Sequence, residues 1–378
     1  MSSKLRSLIA LSCLAPAGAM ADAPTVYGRI NLTAQQNSTE TLQFVSASDT
    51  VTTTKSDTTT LENNVSRIGF KGSEKFADLG LEGFYLAEYA VYADDGVDGT
   101  DPNTTSIRQR NIYFGLKGSF GAAQAGYFDT PLKSVQNKVD LFNDLQGDIN
   151  NYITVNDYRR KNSVMYTTPK MSGFTGYIDL ILSEGNSKEQ DAINKEKGRD
   201  NAASLALTYE QGGFYGAIAF DKNVVVVESN KNLNDESQVY RLVAQYTLGA
   251  WQLGALYDNH DATTYTAAAD NKSLVGKENQ GGWIVSSQYT LGQWALKAQY
   301  GQSDILRGAE VERDADVLSL GADVLSLGAD YKLSKNTRLF GFYTTESADV
   351  SWQKTKSTGT VTASQGNDYF ALGGELIF

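Results

Sequence analysis

Apolar and polar positions alternate over short stretches along most of this chain, most sharply at its carboxyl end. Counting back in twos from Phe378 gives Leu376, Gly374, Leu372 and Phe370, a face without charge; Tyr369, Ala371, Gly373, Glu375 and Ile377 form a mixed face. A period of two with one apolar face is a strand signature. The same pattern runs from Val26 to Gln35, where Val26, Gly28, Ile30, Leu32 and Ala34 alternate with Tyr27, Arg29, Asn31, Thr33 and Gln35. A chain that stops on a strand needs a neighbour to hold it. Pairing of the last strand with the first would close the sheet on itself.

Between these two, alternation predicts strands over 66–76, 81–92, 107–116, 122–128, 162–168, 174–182, 202–210, 215–224, 239–248, 251–258, 283–291, 294–302, 325–333 and 338–345, making sixteen. Joints within hairpins are two to five residues, whereas those between hairpins run from about ten to about thirty and are polar, residues 37–63 and 93–105 among them. Short turns on one rim and long loops on the other suit a barrel whose ends face different compartments. The heptad A-D-V-L-S-L-G occurs at 315–321 and again at 322–328. Seven is odd, so both copies cannot keep one face in a regular strand; the second is expected in the wall and the first as a bulge or loop extension.

Glycine (35) and tyrosine (21) are abundant and proline (5) is scarce, which suits strands and tight turns. The mean hydropathy of -0.35 reads as soluble, but a membrane barrel defeats that average because half of each strand faces water. A soluble sandwich would pack both inner faces with aliphatic residues. Here the faces opposite the apolar ones carry Arg29, Arg67, Lys71, Arg110, Asp179, Glu210, Arg241 and Lys297, so a wet interior is expected around all sixteen strands. Tyr246, Tyr257, Trp283, Tyr289, Trp294, Tyr300, Tyr331 and Tyr343 fall near strand ends, as an interfacial girdle requires.

Residues 1–21 read as a cleaved export signal: Lys4 and Arg6, an apolar run, then Ala19-Met20-Ala21. The rest, 22–378, reads as one domain. The only cysteine, Cys13, is in the signal, so the mature chain has neither disulfide nor thiol chemistry. Loss of Lys4 and Arg6 takes the net charge from -11 to -13, unfavourable for binding nucleic acid. His260, the sole histidine, is expected in a solvent-facing loop, and no Ser-His-acid order supports an enzyme. No cofactor or metal is implied.

Residues 129–160 differ from the other polar joints. Val135, Val139, Leu141, Phe142, Leu145 and Ile149 are interleaved with Asp140, Asp144 and Asp148, whose spacing of four would stack them on one face of a short helix. Arg29, Arg67, Arg108 and Arg110 on early strands offer a basic wall. A loop folded inward would set aspartates across the lumen from it, producing a transverse field at a narrowing.

V-Y-G-R at 26–29, S-R-I-G-F-K-G at 66–72, Y-F-G-L-K-G at 113–118, R-K-N-S-V-M-Y at 160–166, L-G-A-D-Y at 327–331 and the terminal Phe378 together resemble the general diffusion porins of Gram-negative outer membranes. The resemblance implies an all-β fold: a sixteen-stranded antiparallel transmembrane β-barrel with short periplasmic turns, long external loops and an inward-folded third loop at 129–160. It implies a homotrimer in the cell outer membrane, in contact with lipid and lipopolysaccharide. It places Arg29, Arg67, Arg110, Arg108 and Lys161 on the basic side of the constriction. Asp140 and Asp144 match the acidic side by location, with Asp148 as a further candidate; the P-E-F-G-G loop motif of enteric members is absent. Phe378, Leu376, Leu372 and Phe370 resemble the signal read by the barrel-assembly machinery. The expected function is passive, weakly cation-selective diffusion of ions and small hydrophilic solutes. The alternative is a substrate-specific porin for sugars or for phosphate.

Overall fold

A computed structural model of the chain describes residues 23–45, 50–94, 107–136, 138–154, 157–182, 202–224, 237–262, 280–304, 315–354 and 360–378. The expected signal, 1–21, lies outside the described residues. In chain order the strands are β1 (Thr25–Val45), β2 (Thr50–Asn63), β3 (Arg67–Phe76), β4 (Leu81–Val91), β5 (Ile107–Gly118), β6 (Gly121–Asp129), β7 (Arg159–Thr167), β8 (Phe174–Ile181) and β9 (Ala202–Gln211). They continue as β10 (Phe214–Lys222), β11 (Ser237–Leu248), β12 (Trp251–Ala262), β13 (Gln280–Leu291), β14 (Trp294–Ser303), β15 (Ala315–Lys332), β16 (Thr337–Lys354) and β17 (Thr360–Ile377). Each pairs antiparallel with its sequence neighbour except at one break, and β17 pairs with β1.

The wall has sixteen members because β2 and β3 are two halves of one crossing. Residues 64–66 bend between them, with Val65 at φ +55. β1 pairs with β3 over Thr25–Arg29 and with β2 from Leu32 onward. Closure is complete to the last residue: Gly28 N donates to Phe378 O at 2.9 Å, and Phe378 N to Gly28 O at 3.0 Å. A closed barrel leaves no unpaired edge, which hydrocarbon would penalise.

Parity follows the expected faces. Phe370, Leu372, Leu376 and Phe378 are exposed on the outer surface, while Ala371 and Glu375 are buried on the inner one. Val26, Phe70, Phe114, Ile218, Leu242, Leu253, Leu296 and Leu327 continue the outer apolar belt. In water such a surface would drive association; lipid accepts it. Two-residue turns at Gly249 and Gly292 use φ +59, a left-handed conformation that glycine adopts without a side-chain penalty.

Three expectations need correction here. Residues 37–63 are not a loop: apart from 46–49 they continue β1 and form β2, a hairpin beyond the wall. It was invisible to alternation because no lipid demands an apolar face there; threonines and hydrogen bonds such as Thr59 Oγ1 to Gln36 Oε1 at 2.5 Å hold it. Of the two expectations for the first heptad, the loop extension is corrected and the bulge is met, because the segment is strand with an irregularity inside it. Both copies lie in β15, and a register shift against β16 between Val317 and Ser319 inserts the odd residue that reconciles seven with a period of two. His260 is not in a solvent-facing loop but buried on β12, opposite Val239 and Gln280.

Candidate functional site

The 129–160 segment turns into the barrel instead of forming the single helix that would stack its aspartates. It holds two one-turn helices, α1 (Pro131–Ser134) and α2 (Ile149–Tyr152), capped by the side chains of Thr130 and Asp148. Between them the chain turns repeatedly, with Asp144 at φ +64. Asp140, Asp144 and Asp148 therefore point to three different partners.

The seat of this loop corrects the expectation of charge around the whole interior. Leu132, Val135, Val139, Ile149 and Ile153 pack on Ala206, Ala217, Ala219, Val239, Val243, Leu256, Ile284 and Val324, the inner faces of β9–β13 and β15. Phe142 and Leu145 pack on Phe340, Phe342 and Ala371 of β16 and β17. Where the loop comes closest the wall is glycine: a Cβ on Gly282 would stand 2.5 Å from Ile153 O, and one on Gly328 2.9 Å from a Phe142 ring carbon. The signal was present in the sequence, as small or aliphatic residues where early strands carry charge.

Asp140 is buried in that seat. Its carboxylate accepts from Gln299 Nε2 at 3.2 Å and from the backbone N–H groups of Phe142 and Ile149 at 3.2 and 3.3 Å. Burial outweighs these bonds and pushes its pKa up to about 6. Asp148 accepts from Asn150 N and Asp144 N, both at 2.7 Å; burial, then the nearby Asp140 charge, raises its pKa as well. These two carboxylates shape the loop. Asp144 instead reaches β1 and forms an ion pair with Arg29.

Arg29 belongs to a ladder of ion pairs that the sequence pattern did not reveal. Lys297 on β14 meets Asp330 on β15 at 2.9 Å, Asp330 meets Arg338 on β16 at 2.5 Å, and Arg338 meets Glu375 on β17 at 3.0 Å. Glu375 then meets Arg29 at 3.3 Å. Beyond β1, Glu88 on β4 lies between Arg67 at 3.6 Å and Arg110 at 2.9 Å, and also accepts from Tyr27 Oη at 3.0 Å. Asp129 and Arg159 close the run at 3.0 Å across β6 and β7. Signs alternate along these strands except at one place: Arg29 and Arg67 are direct cross-strand partners. Like charges directly opposite repel, and Asp144 enters beside that pair.

The structure thus brings Arg29, Arg67 and Arg110 together with Asp144. Arg108 is exposed, opposite Ala90 on β4. Lys161 is exposed on β7, beside the irregularity at Asn162, φ +59. Glu88, Glu375, Asp330 and Arg338 were missed; their inward parity was readable, their partners were not.

A family model described as Gram-negative porin matches residues 7–351. The major outer membrane protein P.IB of Neisseria sicca is 31% identical over 260 residues, covering 64% of this chain and 68% of that protein. P.IB of Neisseria meningitidis serogroup B is 30% identical over 285 residues, covering 71% and 74%. Among solved structures, Salmonella typhi OmpF superimposes with a TM-score of 0.66 at 18% identity, over 95% of this chain and 100% of that one. An anion-selective porin from Comamonas acidovorans gives 0.63 at 17%, over 94% and 99%.

Proposed function

Because the chain belongs to the Gram-negative porin family, we propose that it is a passive, weakly cation-selective diffusion channel for ions and small hydrophilic solutes, with the 129–160 loop as its constriction. Family membership carries the outer-membrane location and the diffusion role, which need positioned charges and no reacting group.

The observation that supports the finer reading is the near balance of the ladder. Lys297, Arg338, Arg29, Arg67, Arg110 and Arg159 are six wall cations, and Lys133, paired with Asp129 at 3.4 Å, makes seven; Asp330, Glu375, Glu88 and Asp129 are four wall carboxylates, and Asp144 makes five anions. Seven against five leaves two positive charges spread over twelve groups, a field too small to exclude either sign of ion. The acidic surplus of the mature chain, -13 after loss of Lys4 and Arg6, then tips the local ion population toward cations. Arg29, Arg67 and Arg110 act as the basic wall and Asp144 as the facing acid, while Asp140 and Asp148 hold the loop. Arg108 and Lys161, both exposed, contribute to the approach.

A second reading, a channel that prefers anionic solutes, is favoured by one feature: Arg29 and Arg67 stand side by side. Reversal potentials in planar bilayers under a salt gradient separate the two. A small potential of the sign that favours cations supports the first reading, and a potential favouring anions supports the second. The channel acts as a homotrimer, in contact with lipid and lipopolysaccharide after delivery by the barrel-assembly machinery. Conductance steps arriving in threes and a heat-labile trimer band test the assembly state.

A further inference from the structure

Arg241 sits on the inner face of β11, in the middle of the loop's seat, with no exposed side-chain surface. Its guanidinium grips Asp258 on β12 in parallel, Nε to Oδ1 and Nη2 to Oδ2, both at 2.7 Å. Nη1 donates to Leu132 O at 3.1 Å, Gln136 Oε1 at 2.5 Å and Asp157 Oδ1 at 3.1 Å, and Nη2 donates to Thr154 Oγ1 at 3.0 Å. Gln136 Nε2 donates in turn to Asp157 Oδ2 at 2.5 Å. Leu132 and Gln136 are on the outgoing limb of the loop; Thr154 and Asp157 are on the returning limb. One side chain ties both limbs to each other and to two wall strands.

We propose that Arg241 is the positioning residue of the constriction: it holds the root of the inner loop, and through the loop it sets the width of the passage without touching solute. This rests on the pore reading above. Elsewhere the seat combines non-directional apolar packing with wall bonds that each reach a single stretch of the loop. Ser204 Oγ accepts from Leu132 N at 3.2 Å, Tyr215 Oη donates to Val135 O at 2.9 Å, and Gln299 bonds Leu141, Asp140 and Gly147, which leaves open how the two limbs lie. A planar fork with five N–H donors does fix it, because its acceptors fit in one arrangement. Charge gives the clamp its second consequence. Arg241 is one positive charge between the carboxylates of Asp157 and Asp258, each almost wholly buried. Without it, both are stranded in a buried site, a strongly unfavourable state. Asp258 is fixed in β12 and cannot leave, whereas Asp157 lies on the loop and can. Relief therefore comes by release of the returning limb. The β11 ladder pairings to β10 and β12 are backbone bonds and stay in place.

The test uses the full-length protein assembled as a barrel, in two variants: Arg241→Met, and Arg241→Met with Asp258→Asn, which removes the stranded wall charge and protects folding. Heat-modifiable gel mobility reports the barrel. Swelling of liposomes in sugars of increasing size, together with single-channel conductance, reports the passage. Both variants are expected to lose the size cutoff of the wild type and to conduct more, with an intact barrel. A cross-link supplies the rescue: a Cβ on Gly254 would stand 3.4 Å from Val139 Cα, and the Ser286 Oγ 2.5 Å from it is a hydroxyl that can rotate away. Cys13 is the chain's only cysteine and precedes the described residues. Adding Val139→Cys and Gly254→Cys to Arg241→Met should restore the cutoff on oxidation and lose it on reduction. A wild-type cutoff in both clamp variants with an intact barrel overturns the assignment, since packing and the other wall bonds would then place the loop. Failure of both to assemble also overturns it, because Arg241 would be holding the wall. A wild-type protein that does not conduct would sink the pore reading instead.

Discussion

Asp144→Asn removes the one loop carboxylate paired with the basic wall, and the structure bounds its effect. The variant leaves Arg29 its other contacts, Glu375 at 3.3 Å and the carbonyl oxygens of Val65 and Asn64 at 3.2 and 3.1 Å, so barrel assembly should be unaltered. The charge group described above goes from seven against five to seven against four, raising its net positive charge from two to three. For an ion passing about 6 Å from the lost carboxylate, Coulomb's law gives about 0.7 kcal/mol in bulk water and about 3 kcal/mol at an effective dielectric near 20. Asp144 keeps 18% of its side chain exposed, in a water-filled lumen, so the lower figure governs. Screening at about 0.15 M, where the Debye length is about 8 Å, roughly halves it again. The energy rises for a cation and falls for an anion by the same amount, so the expected change is a fall in the cation-to-anion permeability ratio of about three-fold, from weakly cationic to weakly anionic. The assay is the reversal potential across a planar bilayer under a salt gradient. The shift should grow at about 0.01 M salt and nearly vanish at about 1 M, where the Debye length is about 30 and about 3 Å. An unshifted potential at low salt would refute the reasoning, because Asp144 would then not face permeating ions.

Three further outcomes are expected. Deleting Phe378 removes both backbone bonds to Gly28 and the terminal aromatic, so the assembled, heat-modifiable form should fall sharply while export to the periplasm continues; normal assembly would count against an assembly role. Deleting 315–321 should leave assembly and conductance unchanged, because β14 pairs only with Ala322–Tyr331 of β15 and the removed residues extend β15 beyond that neighbour; failure to fold would show that they belong to the wall. Asp140, with its folded pKa raised to about 6, binds its proton more tightly folded than unfolded. Its contribution is therefore fully present below about pH 4 and is lost as pH rises to about 6, a change on the order of 3 kcal/mol. Protection of the loop against proteolysis should weaken over that window in the wild type and lose that dependence in Asp140→Asn; the same slope in the variant would assign it to another group, Asp148 first.

The sixteen crossings, the pairing of first strand with last and the outer apolar belt were legible in the residues alone. Lipid on one side and water on the other impose a period of two, and Phe370, Leu372, Leu376 and Phe378 obey it. Arg29, Arg67 and Arg110 were found the same way, by inward parity. Where that solvent contrast stops, so did the reading: the polar hairpin of β1 and β2 beyond the wall looked like loop. Parity also says which side a residue faces, but not which neighbour it meets there. Arg29 and Glu375 are 346 residues apart in sequence, and only closure of the barrel makes them a pair. The loop depended on tertiary structure most of all. Three aspartates at a spacing of four suggested one acidic face, yet the apolar seat on β9–β17 pulled the chain out of a helix. That seat gave Asp140 to Gln299, Asp148 to the cap of α2, and only Asp144 to the arginines.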